Sequence, residues 1–546
     1  MACPVLLLIP LAALSAGPQQ PQHAHEHEVG ERLGTVRFPV SCGPAARRDF
    51  ERAVALLHSF QYEESERAFA AVAQAEPSCA MAYWGIAMSL YHPVWAAANP
   101  SAAPAPEELA RGRSAVERAK AAGTPRARER EYIAAIEAFY RDSERLDHRA
   151  RALAYVRAME QVARRHPKDP EAAIFYAVAL LGTPRPTDKT YATQRQAAEI
   201  LNRVLPGTRD HPGVAHYLIH SFDYPELARL ALPAARAYAN IAPASPHALH
   251  MPSHIFTRLA MWQESIRSNL ASAAAARRLM ARTHPGATHY DELHAMDYLV
   301  YAYLQGVEDR KAEGVVAEMR VVRLIDQATF AAAYAFAATP ARFVLERRRW
   351  SDAAALGVWP ADFPWQKFPY AEAIVHFARV LGAARSGDST AARKSLDRLE
   401  QIRAGLSEAG DRYWADQVEV ERRAAAAWVA RSEGKDREAV DLLRSSAELD
   451  DSMDKHPVTP GAVLPARELL GDLFLDLGRA AEALKEYEST LARSPGRFNS
   501  LAGAARAAER AGDLGKARGY YAQLVAQCGS ADAAHPDLDR AKALLR

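Results

Sequence analysis

Histidine is the residue type in this chain with the plainest chemical use. There are 19 of them against 4 cysteines, and nine fall between His211 and His294. His216 and His220 are four residues apart, as are His250 and His254, and the second pair follows the first by 34 residues. A four-residue interval places two side chains on one face of a helix, within reach of one ion. Neutral imidazole is the commonest metal ligand, so the pattern predicts a bound transition metal: zinc, copper or iron.

The interval of 34 also identifies the elements that must hold these rings. After residue 45 the chain reads as helix: Ala, Leu, Arg and Glu dominate, and apolar residues recur at three- and four-residue spacing. Gly478 and Gly512, Ala483 and Ala517, and Tyr487 and Tyr521 are each 34 apart. With Leu470, Gly471, Phe474 and Pro495 they follow the tetratricopeptide pattern, in which small residues let two antiparallel helices touch and aromatics fill the seam. The predicted fold is all-α: an α-solenoid, a tetratricopeptide-repeat superhelix of about eight to ten helical hairpins with an extended concave face.

Placed on that frame, the histidines converge. Trp262 and Ser265 open the second helix of one repeat, while Ala231 and Pro243 fix the repeat before it. Each His pair then occupies the fifth and ninth places of a first helix, which face the concave groove. His247 takes the second place of its repeat and Asp223 the twelfth of its own. In the next hairpin, framed by Ala312, His294 and Asp297 fall at the second and fifth places. The expected metal set is therefore His216, His220, His247, His250, His254, His294, Asp223 and Asp297. Asp291 and Glu292 are further candidates for ligands or for acceptors from ring N–H groups. Arg258, one turn after His254, could hold an anionic group. His58 and His92, also 34 apart, and the pair Glu372 and His376 are expected to line the groove at other levels. His148, His166, His284, His456 and His535 read as solvated or loop residues with no assigned role.

Composition narrows the rest. The 546 residues carry 68 basic and 66 acidic side chains, a net charge of +2, with 49% hydrophobic and 25% charged residues. That balance belongs to a folded globular chain and argues against a nucleic-acid partner. No apolar run long enough to span a bilayer follows the N-terminus. Val5 to Leu14 with Leu14-Ser15-Ala16 reads as a secretory signal, so the expected location is periplasmic or secreted. Cys42 and Cys79 flank the first hairpin and are the expected disulfide pair, which leaves Cys528 over. The expected organisation is a signal peptide over 1–16 and a flexible linker containing His, Pro and Gln over 17–44. N-terminal hairpins over 45–205, His-rich central hairpins over 206–345 and a C-terminal array over 346–546 follow.

Several segments resemble a family of large, mostly uncharacterised, exported bacterial tetratricopeptide proteins. They are AMAYWGIAMSLYHPVW from Ala80, GVAHYLIHSFDYPELA from Gly213, PHALHMPSHIFTRLAMWQES from Pro246, HAMDYLVYAYLQG from His294 and HPVTPGAVLPARELLGDL from His456. The resemblance covers nearly the whole chain; it implies the fold and leaves the activity open. There is no Gly-x-Ser-x-Gly elbow, phosphate loop, His-Glu-x-x-His or dinucleotide turn, so an enzyme reading rests on the histidines and aspartates. Three functions are consistent with the sequence. The first is a metal site in the groove, hydrolytic or redox. The second is a scaffold that binds a protein or peptide without metal. The third is a metal-storage or chaperone module for which His23, His25 and His27 would be a loading arm.

Overall fold

The computed structural model describes residues 32–97 and 102–546, so the expected signal peptide and the His23, His25 and His27 tail lie outside the described residues. Among the described residues, helices follow one another without a strand from Pro44 to Leu545. They pair into twelve consecutive hairpins and a closing helix, Pro536–Leu545, and the architecture is an α-solenoid of tetratricopeptide type. The count exceeds eight to ten because several hairpins use short helices, such as Trp350–Ala354, that carry little of the repeat pattern. The seam chemistry is visible at Tyr487. Its ring lies between two glycines, and a Cβ at Gly471 or Gly503 would come within 2.9 or 2.4 Å of it.

The apolar core is in two parts, and neither coincides with the expected three-way division. One runs from Leu33 to Phe256 and the other from Trp262 to Ala541. In each, late hairpins bond back to earlier ones. His216 donates from Nδ1 to the carbonyl of His58 in the first hairpin (2.7 Å). In the second lobe the Phe498 N–H donates to Gln305 Oε1 (2.8 Å), and buried Arg497 pairs with Glu346 and Glu468 (2.8 Å each). The boundary falls inside the His-rich hairpins, not around them.

The stretch expected as a flexible linker is, from residue 33 to 42, an extended strap. Val36, Phe38, Val40 and Cys42 are buried and the residues between them exposed, a period-two pattern without a sheet partner. The Phe38 ring lies 5.5 Å from Phe50 and Trp84 and 5.1 Å from Tyr132. The strap donates from Thr35 N to Asp210 O (2.9 Å) and accepts at Arg32 O from Ala244 N (3.1 Å), so it ties the first hairpin to the fifth. Cys42, at its end, is bonded to Cys79 with the Cα atoms 5.1 Å apart. Cys528 is a buried free thiol.

A second connection crosses between the lobes. The loop 452–465, which carries HPVTPG, runs against first helices of several hairpins. The backbone N–H of Asp454 donates to Pro186 O (3.2 Å), and Lys455 Nζ reaches Asp223 (3.1 Å). Arg342 donates to the carbonyls of Gly461 and Ala462 (3.2 and 2.9 Å). His456 is a loop residue, as expected, but a buried one that stacks on Trp414 at 5.5 Å. No described helix is long and apolar enough to cross a membrane.

Phe38 is the test of the strap. Phe38→Ala is expected to lower the unfolding free energy of the N-terminal lobe by about 3–5 kcal/mol, whereas Arg37→Ala, on the exposed side, stays within about 0.5 kcal/mol. Urea unfolding followed by tryptophan fluorescence reads both; equal losses would mean that the buried ring does not anchor the segment.

Candidate metal centre

Four helices present the ring nitrogens. Pro212–Phe222 carries His216 and His220; its first residue is Pro, whose missing N–H would be unpaired there anyway. His250 and His254 lie on either side of a break. Pro252 cannot donate to the preceding turn, so two short helices, Pro246–His250 and Pro252–Arg258, meet at Met251. Tyr290–Gln305 carries His294. All six rings are buried.

They form two neighbouring triads. In one, His216 Nε2 lies 3.1 Å from His220 Nε2 and 3.2 Å from His247 Nε2. In the other, His250 Nε2 and His254 Nε2 are 2.9 Å apart, and His294 offers a third nitrogen, all within 4.8 Å of one another. The rings of His247 and His250 connect the triads, with centroids 6.4 Å apart.

The protons decide what such close nitrogens can do. His250 Nδ1–H donates to Asn269 Oδ1 (2.6 Å), and that amide is oriented by its own donation from Nδ2 to the Ser265 carbonyl (2.8 Å). His254 Nδ1–H donates to the Asp223 carboxylate (3.0 Å). Both Nδ1 atoms therefore carry the hydrogen, and the two Nε2 atoms meet lone pair to lone pair. His216 has the same tautomer, because its Nδ1–H donates to the carbonyl of His58. A third proton on such a pair would make an imidazolium. Burial opposes that: it pushes His216, His220, His250 and His294 well below the ordinary imidazole value, with neighbouring rings adding to the effect. His254 is pushed down to about 4 by burial, against the pull of Asp223. A cation between the nitrogens removes the repulsion. Metal–nitrogen bonds of about 2.0–2.1 Å in a tetrahedral set place ligand nitrogens about 3.3 Å apart, a few tenths of an ångström beyond the observed contacts.

Asp223 stands behind the rings instead of among the converging atoms. Burial alone would raise its carboxyl, but Lys455 (3.1 Å) and Arg258 (2.9 Å), together with His254, hold it well below the usual range. It remains an anion that fixes the His254 tautomer, and Arg258 is engaged in holding it. Asp291 lies 3.8 Å from His247 Nδ1 and 3.7 Å from His289 Nδ1, a carboxylate beside both rings but beyond hydrogen-bond reach of either. Glu292 instead turns outward to Arg277 (2.6 Å).

Other expected residues separate from the centre. Asp297 joins neither triad: its nearest charged partner is Arg342 Nε at 3.5 Å, and burial raises its carboxyl to about 6 despite that arginine. Glu372 and His376 bond each other (3.3 Å), and Glu372 takes both arms of Arg398 from the second helix of the hairpin, so the pair is held locally. His58 lies in a third buried group. Its Nε2 and that of His211 both donate to Glu171 (3.0 and 2.8 Å), and Tyr217 hydroxyl donates to His58 Nδ1 (2.9 Å). The carboxylate accepts both ring protons, so the Nε2 atoms that face it are already engaged without an ion. Burial would raise Glu171, but the two histidines bring it down to about 2. His92 packs against Tyr62 with the rings tilted (centroids 4.4 Å apart) at the wall of a cavity that reaches His247 and His294. Spacing did not single out Asn269, Glu171, His211, Lys455 or Tyr298, whose hydroxyl lies 3.2 Å from His254 Nδ1.

No family model matches the chain, and no curated protein does. Solved structures with a similar path include the human IFIT1 dimer with PPP-AAAA, 10% identical over 88% of this chain and 89% of that one with a TM-score of 0.38. Naa15/Naa10 bound to HypK-THB is 12% identical, with coverages of 92% and 74% and a TM-score of 0.24. The APC/C hetero-tetramer Cut9-Hcn1 is 10% identical, with coverages of 93% and 97% and a TM-score of 0.30. Likeness at this level carries no argument about what the chain binds.

The neutral rings have a measurable consequence. Their folded values lie below the unfolded 6.5, so as pH falls from about 6.5 toward about 4 the unfolded chain takes up protons that the folded chain refuses. Metal-free protein is expected to keep its full stability above about pH 6.5. Below that it loses about 1.4 kcal/mol per pH unit for each histidine held neutral. Urea titrations across this range read the slope; a flat profile would mean that the rings are charged or solvated.

Proposed function

We propose that the chain is a transition-metal protein whose two tri-imidazole triads each bind one ion, in the manner of a catalytic rather than a structural site. The observation that carries this is the meeting of Nε2 atoms at 2.9–3.2 Å, with His216, His250 and His254 each held in the Nδ1–H tautomer by an acceptor behind the ring. Three protein ligands leave a fourth position open for water or substrate, the arrangement of metal sites that do chemistry. The donor set favours zinc or copper. Non-haem iron more often takes two histidines and a carboxylate, and here each set of converging atoms is three imidazoles, with Asp223 bonded to the Nδ1 side of His254.

The groove-scaffold alternative has less support, because the chain's own 452–465 loop lies against the first helices there. The storage alternative rests on a tail outside the described residues. An exported location accords with the Cys42–Cys79 disulfide, since such bonds persist in oxidising compartments.

Metal analysis of untagged protein, loaded with Zn²⁺ or Cu²⁺ and then desalted, tests this. About two equivalents are expected for the wild type and about one for His250→Ala or His216→Ala, with the double variant near zero. Asn269→Leu, which leaves every ligand in place but removes the acceptor behind His250, is expected to weaken one site about 10–100-fold. Wild-type protein that retains less than about a tenth of an equivalent would defeat the proposal.

A further inference from the structure

A cavity of about 320 Å³ reaches the two triads together: His247 of one and His294 of the other line it, with Asp291. That is the lower end of the size range of small-molecule sites, about 300–1,000 Å³. Its walls are aromatic. Phe60 and Tyr62 stack at 5.2 Å, Trp95 meets Phe60 edge-on at 5.4 Å, and Tyr290 and Phe330 also face the space. The Tyr62 hydroxyl is buried without a hydrogen-bond partner among the described residues.

The charged lining has one predominant sign. Glu63, Glu64, Glu66 and Glu108 border the cavity, and Arg111 is the only Lys or Arg among its described lining residues. Arg111 is already paired with Glu66, and Glu64 with Arg67 (2.9 Å). Glu63 makes no ion pair among the described residues, and its partly desolvated place at the cavity rim raises its carboxyl. Aromatic faces and unneutralised carboxylates together attract an organic cation and repel an anion. Metal ions in the triads would put positive charge at one end of the cavity, so a cationic ligand would place its ammonium at the glutamate side and its apolar body toward His247 and His294.

We propose that this cavity is the substrate pocket of the metal centre and takes a small organic cation: an amine or quaternary ammonium group on an apolar or aromatic body, presented to both triads at once. The substrate role rests on the metal reading above; the charge selectivity of the cavity does not.

The full chain, metal-free and Cu²⁺-loaded, can be titrated with benzyltrimethylammonium, benzyl alcohol and benzoate by calorimetry and tryptophan fluorescence. The cation is expected to bind at least about tenfold more tightly than the alcohol, with benzoate weakest, and to quench fluorescence through Trp95. Glu63→Gln, an exposed change that the fold tolerates, is expected to reduce the preference for the cation about threefold to tenfold, and Trp95→Phe to remove most of the quench. In Cu²⁺-loaded protein the cation is expected to shift the visible copper band, which marks its nearness to the ions. Benzoate binding as tightly as the cation, or no binding by any of the three probes, would overturn the proposal. So would selective binding that leaves the copper band unmoved. Metal content measured on the same samples reports separately on the triads, so a protein that loads copper but ignores the cation loses the pocket and keeps the metal sites.

Discussion

The bond from His216 Nδ1–H to the carbonyl of His58 holds together most of what this molecule could do. It spans 158 residues and is buried throughout. It fixes one imidazole tautomer, and so turns a lone pair toward His220 and His247. It also requires the first hairpin to sit against the fifth, because a carbonyl at the end of one helix must reach a ring in the middle of another. A buried N–H left without an acceptor costs about 1–3 kcal/mol, so the geometry of the lobe and the chemistry of the triad stabilise each other.

The same arrangement recurs one repeat later with different partners. His250 and His254 are held from behind by Asn269 and Asp223, one from a second helix and one from the end of the preceding first helix. The solenoid supplies this economically. Neighbouring first helices run side by side, so equivalent places in successive repeats meet across the interior, and the helix behind each one is free to supply an acceptor. The backbone break at Pro252 falls between the two rings of the second pair, so that triad is not a simple copy of the first.

Legibility in the sequence followed the range of the interaction. The period of 34 and the four-residue pairs are local, and they led to all six triad histidines. Asp297 shares that frame but not that fate. Its charge partner, Arg342, comes from a neighbouring first helix that spacing within one repeat cannot reveal. Glu171 and His211 were invisible for a related reason: they meet His58 only because the first hairpin folds back onto later ones. Glu372 and His376 sit at a correct interval yet face Arg398 of their own hairpin, since the frame fixes a place on the helix and leaves the side chain free to choose its partner. The strap is the opposite case. The alternation of Val36, Phe38, Val40 and Cys42 is present in the sequence, but without a second strand to pair with it does not read as structure.

The HPVTPG loop, unexplained by repeat packing, has a physical account once Asp223 is considered. A carboxylate buried behind a metal-ligand histidine must stay ionised to hold the Nδ1 proton, and burial alone would neutralise it. One cation, Arg258, comes from the same hairpin as His254. The second, Lys455, comes from the loop, 232 residues away in the other lobe. Lys455 in turn has its ammonium pushed down to about 8 by the same burial, opposed by Asp223. Each group helps to keep the other charged, and without Lys455 the buried Asp223 carboxylate would keep Arg258 as its one remaining full cation. The loop therefore does more than cover the interior. It makes the electrostatic state of the His250–His254 triad depend on docking of the C-terminal lobe, so an intact centre requires both lobes in place.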